Sequence, residues 1–155
     1  MIFQHVDLSN QRLIDGASGD CENIRGYCRH LLVGLEKFFA SNSAKVNLGS
    51  SFTFEDDLLC ALVTPYGNAR GRLTIQLVNG VMEGRYVFEK SIVSEEGKDI
   101  WTPIWAIRIG RYANVWLGDE GKMEVEVMNL GPHNNSISAT AKSLLYRVAI
   151  TPIFK

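Results

Sequence analysis

Between Asp20 and Ser41 the apolar residues Ile24, Tyr27, Cys28, Leu31, Leu32, Leu35, Phe38 and Phe39 recur three and four positions apart. At roughly 3.6 residues per turn this spacing lays them on one stripe of an α-helix. Glu22, Arg25, Arg29, Glu36 and Lys37 fall on the opposite side. Gly16, Ser18 and Gly19 read as a break before the helix, Ser18 or Asp20 as its N-cap, and Asn42 with Ser43 as its end. Burying each such side chain contributes about 1.5–3 kcal/mol, so the stripe requires a broad apolar cover.

A period of two supplies that cover. In RLTIQLV-NG-VMEGRYVF, Asn79-Gly80 suits the positive φ values of a two-residue type I′ turn, which predicts a hairpin pairing Val78 with Val81. Counting outward sets Thr74 opposite Arg85 and Gln76 opposite Glu83 on one face. The other face collects Leu73, Ile75, Leu77, Met82, Tyr86 and Phe88, with Gly84 opposite Ile75 as a notch where the sheet bends or a bulky residue approaches. This dry face is the expected partner of the helix stripe.

The other segments carry weaker patterns. IFQHVDL, residues 2–8, alternates like a short strand, and SNSAKVNLGSS is turn-rich. SFTFEDDLLCALVTPYG fits either a short helix, with Thr53 and Asp56 as a capping box, or a strand, and its aromatic and β-branched surroundings favour the strand. The second hairpin strand is expected to run through Ser94 into a turn at Glu95, Glu96 and Gly97. The stretch from Asp99 to Gly118 holds all three tryptophans and Pro103, which implies a sheet edge or a bulge because proline donates nothing to a ladder. By simple alternation Trp101, Pro103, Trp105, Ile107 and Ile109 share one face. After a turn from Gly118 to Gly121, Met123, Val125 and Val127 alternate with Glu124 and Glu126 as a half-buried strand, followed by the loop LGPHNNS. The last segment, SISATAKSLLYRVAITPIFK, fits helical spacing through Ile137, Ala141, Leu144, Leu145 and Val148, yet SISATA alternates strictly and YRVAITPIF is rich in strand formers, which assigns the end to a strand after an irregular piece. Together these elements predict an α+β fold: a single globular domain over residues 1–155, with one long amphipathic helix packed on a twisted, mainly antiparallel sheet of five to seven strands. Hot-dog and cystatin-like architectures arrange a helix and a curved sheet in this way.

Composition narrows function mainly by exclusion. A formal charge of −1 supplies no overall field to draw in nucleic acid or anionic lipid, and no apolar run approaches the ~20 residues of a membrane span. The N-terminal stretch lacks a basic leader followed by an apolar run. Cys21, Cys28 and Cys60 sit in apolar surroundings, and both features lead to an expected cytoplasmic setting with reduced thiols. Cys21 and Cys28 lie about 10.5 Å apart along a helix axis, too far to share a zinc ion, and His5, His30 and His133 are scattered. No metal and no cofactor is therefore expected. EEGK and DEGK lack the upstream glycine and the following Ser or Thr of a phosphate-binding loop and read as turns.

Two groups remain as candidate binding residues. Trp101, Trp105, Arg108, Arg111 and Tyr112 interleave aromatics with arginines, the composition of interaction hot spots and of stacking platforms, although large aromatics more often fill cores. Glu55, Asp56 and Asp57 could attract a cation or a basic partner, although such runs are more often solvated. No catalytic constellation is evident. The favoured expectation is a non-enzymatic binding protein that acts through the Trp/Arg-rich sheet edge on a protein partner or a second copy of itself. The alternative is a small hot-dog-like enzyme or carrier for acyl or thioester substrates, with an apolar pocket between helix and sheet and Glu36, His30 or Asp56 as its polar groups. Nucleic-acid binding through the arginines and aromatics ranks third.

Overall fold

The computed structural model describes residues 4–129 and 134–155. Helix α1 spans Leu8–Ala40 and is longer than its apolar stripe suggests. The Asp7 carboxylate accepts from the Asn10 N–H at 2.8 Å and serves as the N-cap in place of Ser18 or Asp20. Gly16 and Gly19 lie within the helix, with no atom near enough to contact an added Cβ. Each costs about 1 kcal/mol relative to alanine. That is offset where Leu13 and Ala17, both half-buried, continue the covered side of the helix, and Leu13 reaches the hairpin turn at Gly80. Residues 4–7 form no strand, and the first residues of the expected IFQHVDL strand lie outside the described residues.

Ser41 ends α1 and starts α2 (Asn42–Leu48), a short helix in the stretch read as turns. Its hydroxyl donates to the Phe38 carbonyl at 2.8 Å and accepts from the Ala44 N–H at 3.3 Å, and Gly49 closes α2 in the left-handed region at φ 57°. Six strands follow in sequence order: β1 (Ser51–Phe54), β2 (Cys60–Thr64), β3 (Gly67–Val78), β4 (Val81–Val93), β5 (Asp99–Gly110) and β6 (Val115–Leu117). They form one antiparallel meander, β1-β2-β3-β4-β5-β6, so the molecule is α+β with one long helix on a curled six-stranded sheet. The segment favoured as one strand at Phe52–Leu62 is two. Glu55–Leu59 forms a tight turn in which the Asp57 carboxylate accepts from the Leu59 N–H, and buried Leu58 takes φ 67°.

The β3–β4 register is the one the Asn-Gly turn dictates, with Val78 opposite Val81 and Ile75 opposite Gly84. Ile24 of α1 fills the notch at Gly84, where an added Cβ would lie 2.5 Å from its Cγ2 atom. All eight residues of the helix stripe are buried or half-buried, and Tyr86 and Phe88 beneath them are fully buried. The cover thins toward the hairpin tip, where Leu73 and Ile75 are half-buried and Leu77 is exposed.

The C-terminal segment is a helix, α3 (Asn135–Ile150), and not the expected strand. Tertiary packing decides between the two templates: Ile137, Ala141, Leu144, Leu145 and Val148 are all buried, with α3 lying beside α1 on the same face of the sheet. The Asn134 side chain caps the first turn by accepting from the Ser136 and Ile137 N–H groups. At the other end the buried Lys90 ammonium donates to the carbonyls of Val148 and Thr151, placing a cation at the negative end of the helix dipole. Val125 and Val127 are buried as alternation requires, but Met123 is exposed and their segment makes only a bridge from Glu124 to Trp116. Beyond that bridge the Glu126 N–H donates to the Ser136 hydroxyl of α3. No helix among the described residues is long and apolar enough to cross a membrane.

Candidate cleft at the bulged edge of β5

Strand β5 is covered unevenly. β6 pairs only with Ile107, Arg108 and Ile109, and the Gly118 N–H closes the pairing on the Ala106 carbonyl at 2.8 Å. From Asp99 to Trp105 the outer edge of β5 has no strand beside it among the described residues. On its inner edge the register breaks: Phe88 faces Trp105 while Glu89 faces Pro103, which leaves Ile104 as an extra residue. A bulge of this kind twists a strand locally and re-aims its side chains.

The bulge opens one side of a cleft of about 850 Å³. Pro103, Ile104 and Trp105 form its strand wall, the turn from Gly118 to Gly121 with Met123 forms a second wall, and Lys142, Ser143, Tyr146 and Arg147 of α3 form the third. The turn is held in place by two arginines. Arg85 makes a bidentate pair with Asp119, with Nε–Oδ1 at 2.7 Å and Nη2–Oδ2 at 2.8 Å. Its hydrogen bonds hold the Asp119 carboxyl below the usual carboxylate range. Arg108 donates through Nε to the Gly118 carbonyl at 2.9 Å and through Nη2 to the Gly121 carbonyl.

The bulge also corrects the expected placing of the tryptophans. Trp101 and Pro103 face away from the helices, whereas Trp105, Ile107 and Ile109 face inward. Trp105 stacks on Phe88 with ring centroids 6.0 Å apart and forms part of the cleft wall. Trp101 is 39% exposed, with the Arg70 guanidinium 4.2 Å above its ring and Arg70 in turn paired with Glu89 at 3.1 Å. Arg111 reaches Asp20 of α1 at 3.3 Å and lies over Tyr112, which is exposed in the β5–β6 turn. Glu55, Asp56 and Asp57 lie exposed in the β1–β2 turn, at the opposite end of the strand order, where the Asp56 carbonyl accepts from Arg29 at 3.0 Å.

Of the candidate residues, then, Trp105 lines the cleft and Arg108 fastens its turn, while Trp101, Arg111 and Tyr112 occupy separate surfaces and the acidic run stands far along the sheet. The polar groups considered for acyl chemistry do not line one cavity. Asp56 borders a groove with Arg25 and Arg29, while His30 is exposed and Glu36 half-buried on the outer side of α1. No group of three or more His, Cys, Asp or Glu side chains able to hold a metal forms among the described residues.

The α3 wall is not expected from the sequence, because the strand formers at the end of that segment favour a strand. Its signal was present: a helix that buries Ile137, Ala141, Leu144, Leu145 and Val148 turns Lys142 and Tyr146 outward. No protein-family model, curated protein or solved structure matches the chain.

Proposed function

We propose that the protein is a non-catalytic interaction module that takes a segment of a partner protein into the cleft beside the bulged edge of β5. The observation carrying this reading is the coincidence of an unpaired strand edge with a concave site whose third wall is a helix. Interaction sites combine apolar anchors with polar groups at the rim, and this cleft offers Ile104, Trp105 and Tyr146 beside Lys142 and Arg147. Pro103 and the bulge are devices that keep an open edge from pairing indiscriminately, which favours a distinct partner over a second copy of the chain. The three cysteines are free, which suits action in a reducing compartment such as the cytoplasm.

Selection of peptides from a random display library on the folded protein tests the proposal. Selected peptides should lose about tenfold or more in affinity for Ser143→Trp, which fills the cleft, and for Tyr146→Ala, which removes an exposed aromatic anchor. Val46→Glu, at an 84% exposed position outside the cleft, should leave binding unchanged, and the chain should sediment as a monomer. Peptides indifferent to both cleft variants, or a stable dimer blocked by Ser143→Trp, would overturn it.

A further inference from the structure

We infer that the segment held in this cleft is acidic: an extended stretch carrying two or more carboxylates among apolar residues, with the carboxylates turned toward α3. The inference rests on the reading of the cleft as a partner site and adds the chemistry of the partner. It comes from separating the charges around the cleft into those already satisfied and those that are not. Arg85 is neutralised by both oxygens of Asp119, and Arg108, bonded to the carbonyls of Gly118 and Gly121, is held against the acidic turn, where its charge also acts on Asp119. Lys142 and Arg147 remain, both exposed, and neither makes an ion pair among the described residues. Arg147 in the last turn of α3 also complements the helix dipole, but Lys142 sits mid-helix, where the dipole gives a cation no such role.

On the facing wall Asp119 is neutralised by Arg85, and the charge of Glu120 is offset by the Arg108 guanidinium held on the same turn. The cleft is therefore polarised, with two unanswered positive charges on the helix side and charges on the turn side that largely cancel. Between them lie Ile104, Trp105 and Leu117. A ligand matching this field places acidic side chains against α3 and apolar ones against the strand. Complementarity of this kind selects partners and speeds encounter more than it adds raw affinity, so salt sensitivity should accompany it.

The test uses three heptapeptides that alternate valine with glutamate, glutamine or lysine, each titrated into the isotope-labelled full chain and followed by backbone amide shifts. The glutamate peptide should move the amides of Ile104, Trp105 and Ala106 together with those from Lys142 to Arg147. It should bind about tenfold more tightly than the glutamine peptide at low ionic strength and lose most of that advantage at high salt. The double reversal Lys142→Glu with Arg147→Glu should invert the order so that the lysine peptide binds best; both residues are exposed, so neither change enters the core. Equal binding of the glutamate and glutamine peptides would overturn the acidic chemistry while leaving the cleft reading intact. Shifts confined to the groove at Arg25 and Arg29 would overturn the assignment to this cleft. If no peptide binds, the acidic segment is rejected, and the display selection decides separately whether the cleft is a site. An oligothymidylate that occupies the same amides more tightly than the glutamate peptide would replace the acidic polypeptide with a nucleic acid.

Discussion

The two halves of the sheet are finished differently. Around β4 and the middle of α1 the interior is closed: Ile24 fills the notch at Gly84, Tyr86 donates to the Leu58 carbonyl at 2.7 Å, and Cys28 and Cys60 are buried among apolar neighbours. Around β5 and α3 the strand is bulged, one edge is unpaired, and the neighbouring turn is fastened by arginines rather than by packing. Packing defects are costly in the first region, whereas the second keeps polar groups and open space at the surface. On the proposed function, the contrast divides stability from recognition, and it can be pressed from either side.

The largest expected effect is alkaline. Burial, reinforced by Cys60, raises the Cys28 thiol from 9.0 to about 12, and burial raises Cys60 to about 11. Above pH 9 the unfolded chain releases these protons while the folded chain retains them. The stabilisation is therefore complete below pH 9 and lost as pH climbs toward the folded values. For Cys28 alone this is about 4 kcal/mol, at roughly 1.4 kcal/mol per pH unit. Lys90, whose burial lowers its pKa from 10.5, acts in the opposite sense as pH rises to 10.5, because the folded lysine gives up its proton before the unfolded one, so the informative quantity is the difference between wild type and Cys28→Ala. Urea midpoints against pH should diverge above pH 9, with the wild type falling more steeply. Parallel curves would remove Cys28 from the closed interior.

Next in size is the notch. Gly84→Ala should destabilise by about 1–3 kcal/mol, because its Cβ must displace Ile24, and Ile24→Ala by about 2–5 kcal/mol, because it empties the same space. The double variant should cost clearly less than the sum, since each change relieves the other. Additive costs in a double-mutant cycle would mean that the two residues do not meet.

The smallest effect belongs to the half around β5 and α3. Asp119→Asn removes an exposed charge pair and should change global stability by less than about 1 kcal/mol. It should nevertheless speed amide exchange across Gly118–Gly121, because one of the two arginine fastenings is lost. A large fall in thermal midpoint would show that the turn belongs to the stabilising half after all.

What the chain discloses in advance follows the same division. The α1 stripe, the Asn-Gly register and the Gly84 notch are local patterns in which period, turn chemistry and burial agree, and the structure contains each of them. The α3 segment carries two patterns at once, and the choice between them depends on distant groups: the buried surface of α1 and the ammonium of Lys90. The reach of α1 back to Leu8 was hidden because Gly16 and Gly19 ordinarily mark breaks, while the hairpin tip that favours continuation lies far along the chain. Of the cleft, Trp105 and Arg108 were legible as residue types. Their separation from Trp101, Arg111 and Tyr112 was not, because simple alternation carries no sign of the residue inserted at Ile104.

That insertion works like a frameshift in a two-letter text. Downstream of Ile104 the strand spells inward at Trp105, Ile107 and Ile109; upstream, the letters trade places, so that Ile100 and Thr102 turn inward and Trp101 and Pro103 turn out. One strand thereby furnishes an indole to each side of the same sheet, and deleting a single residue would bring both onto one side.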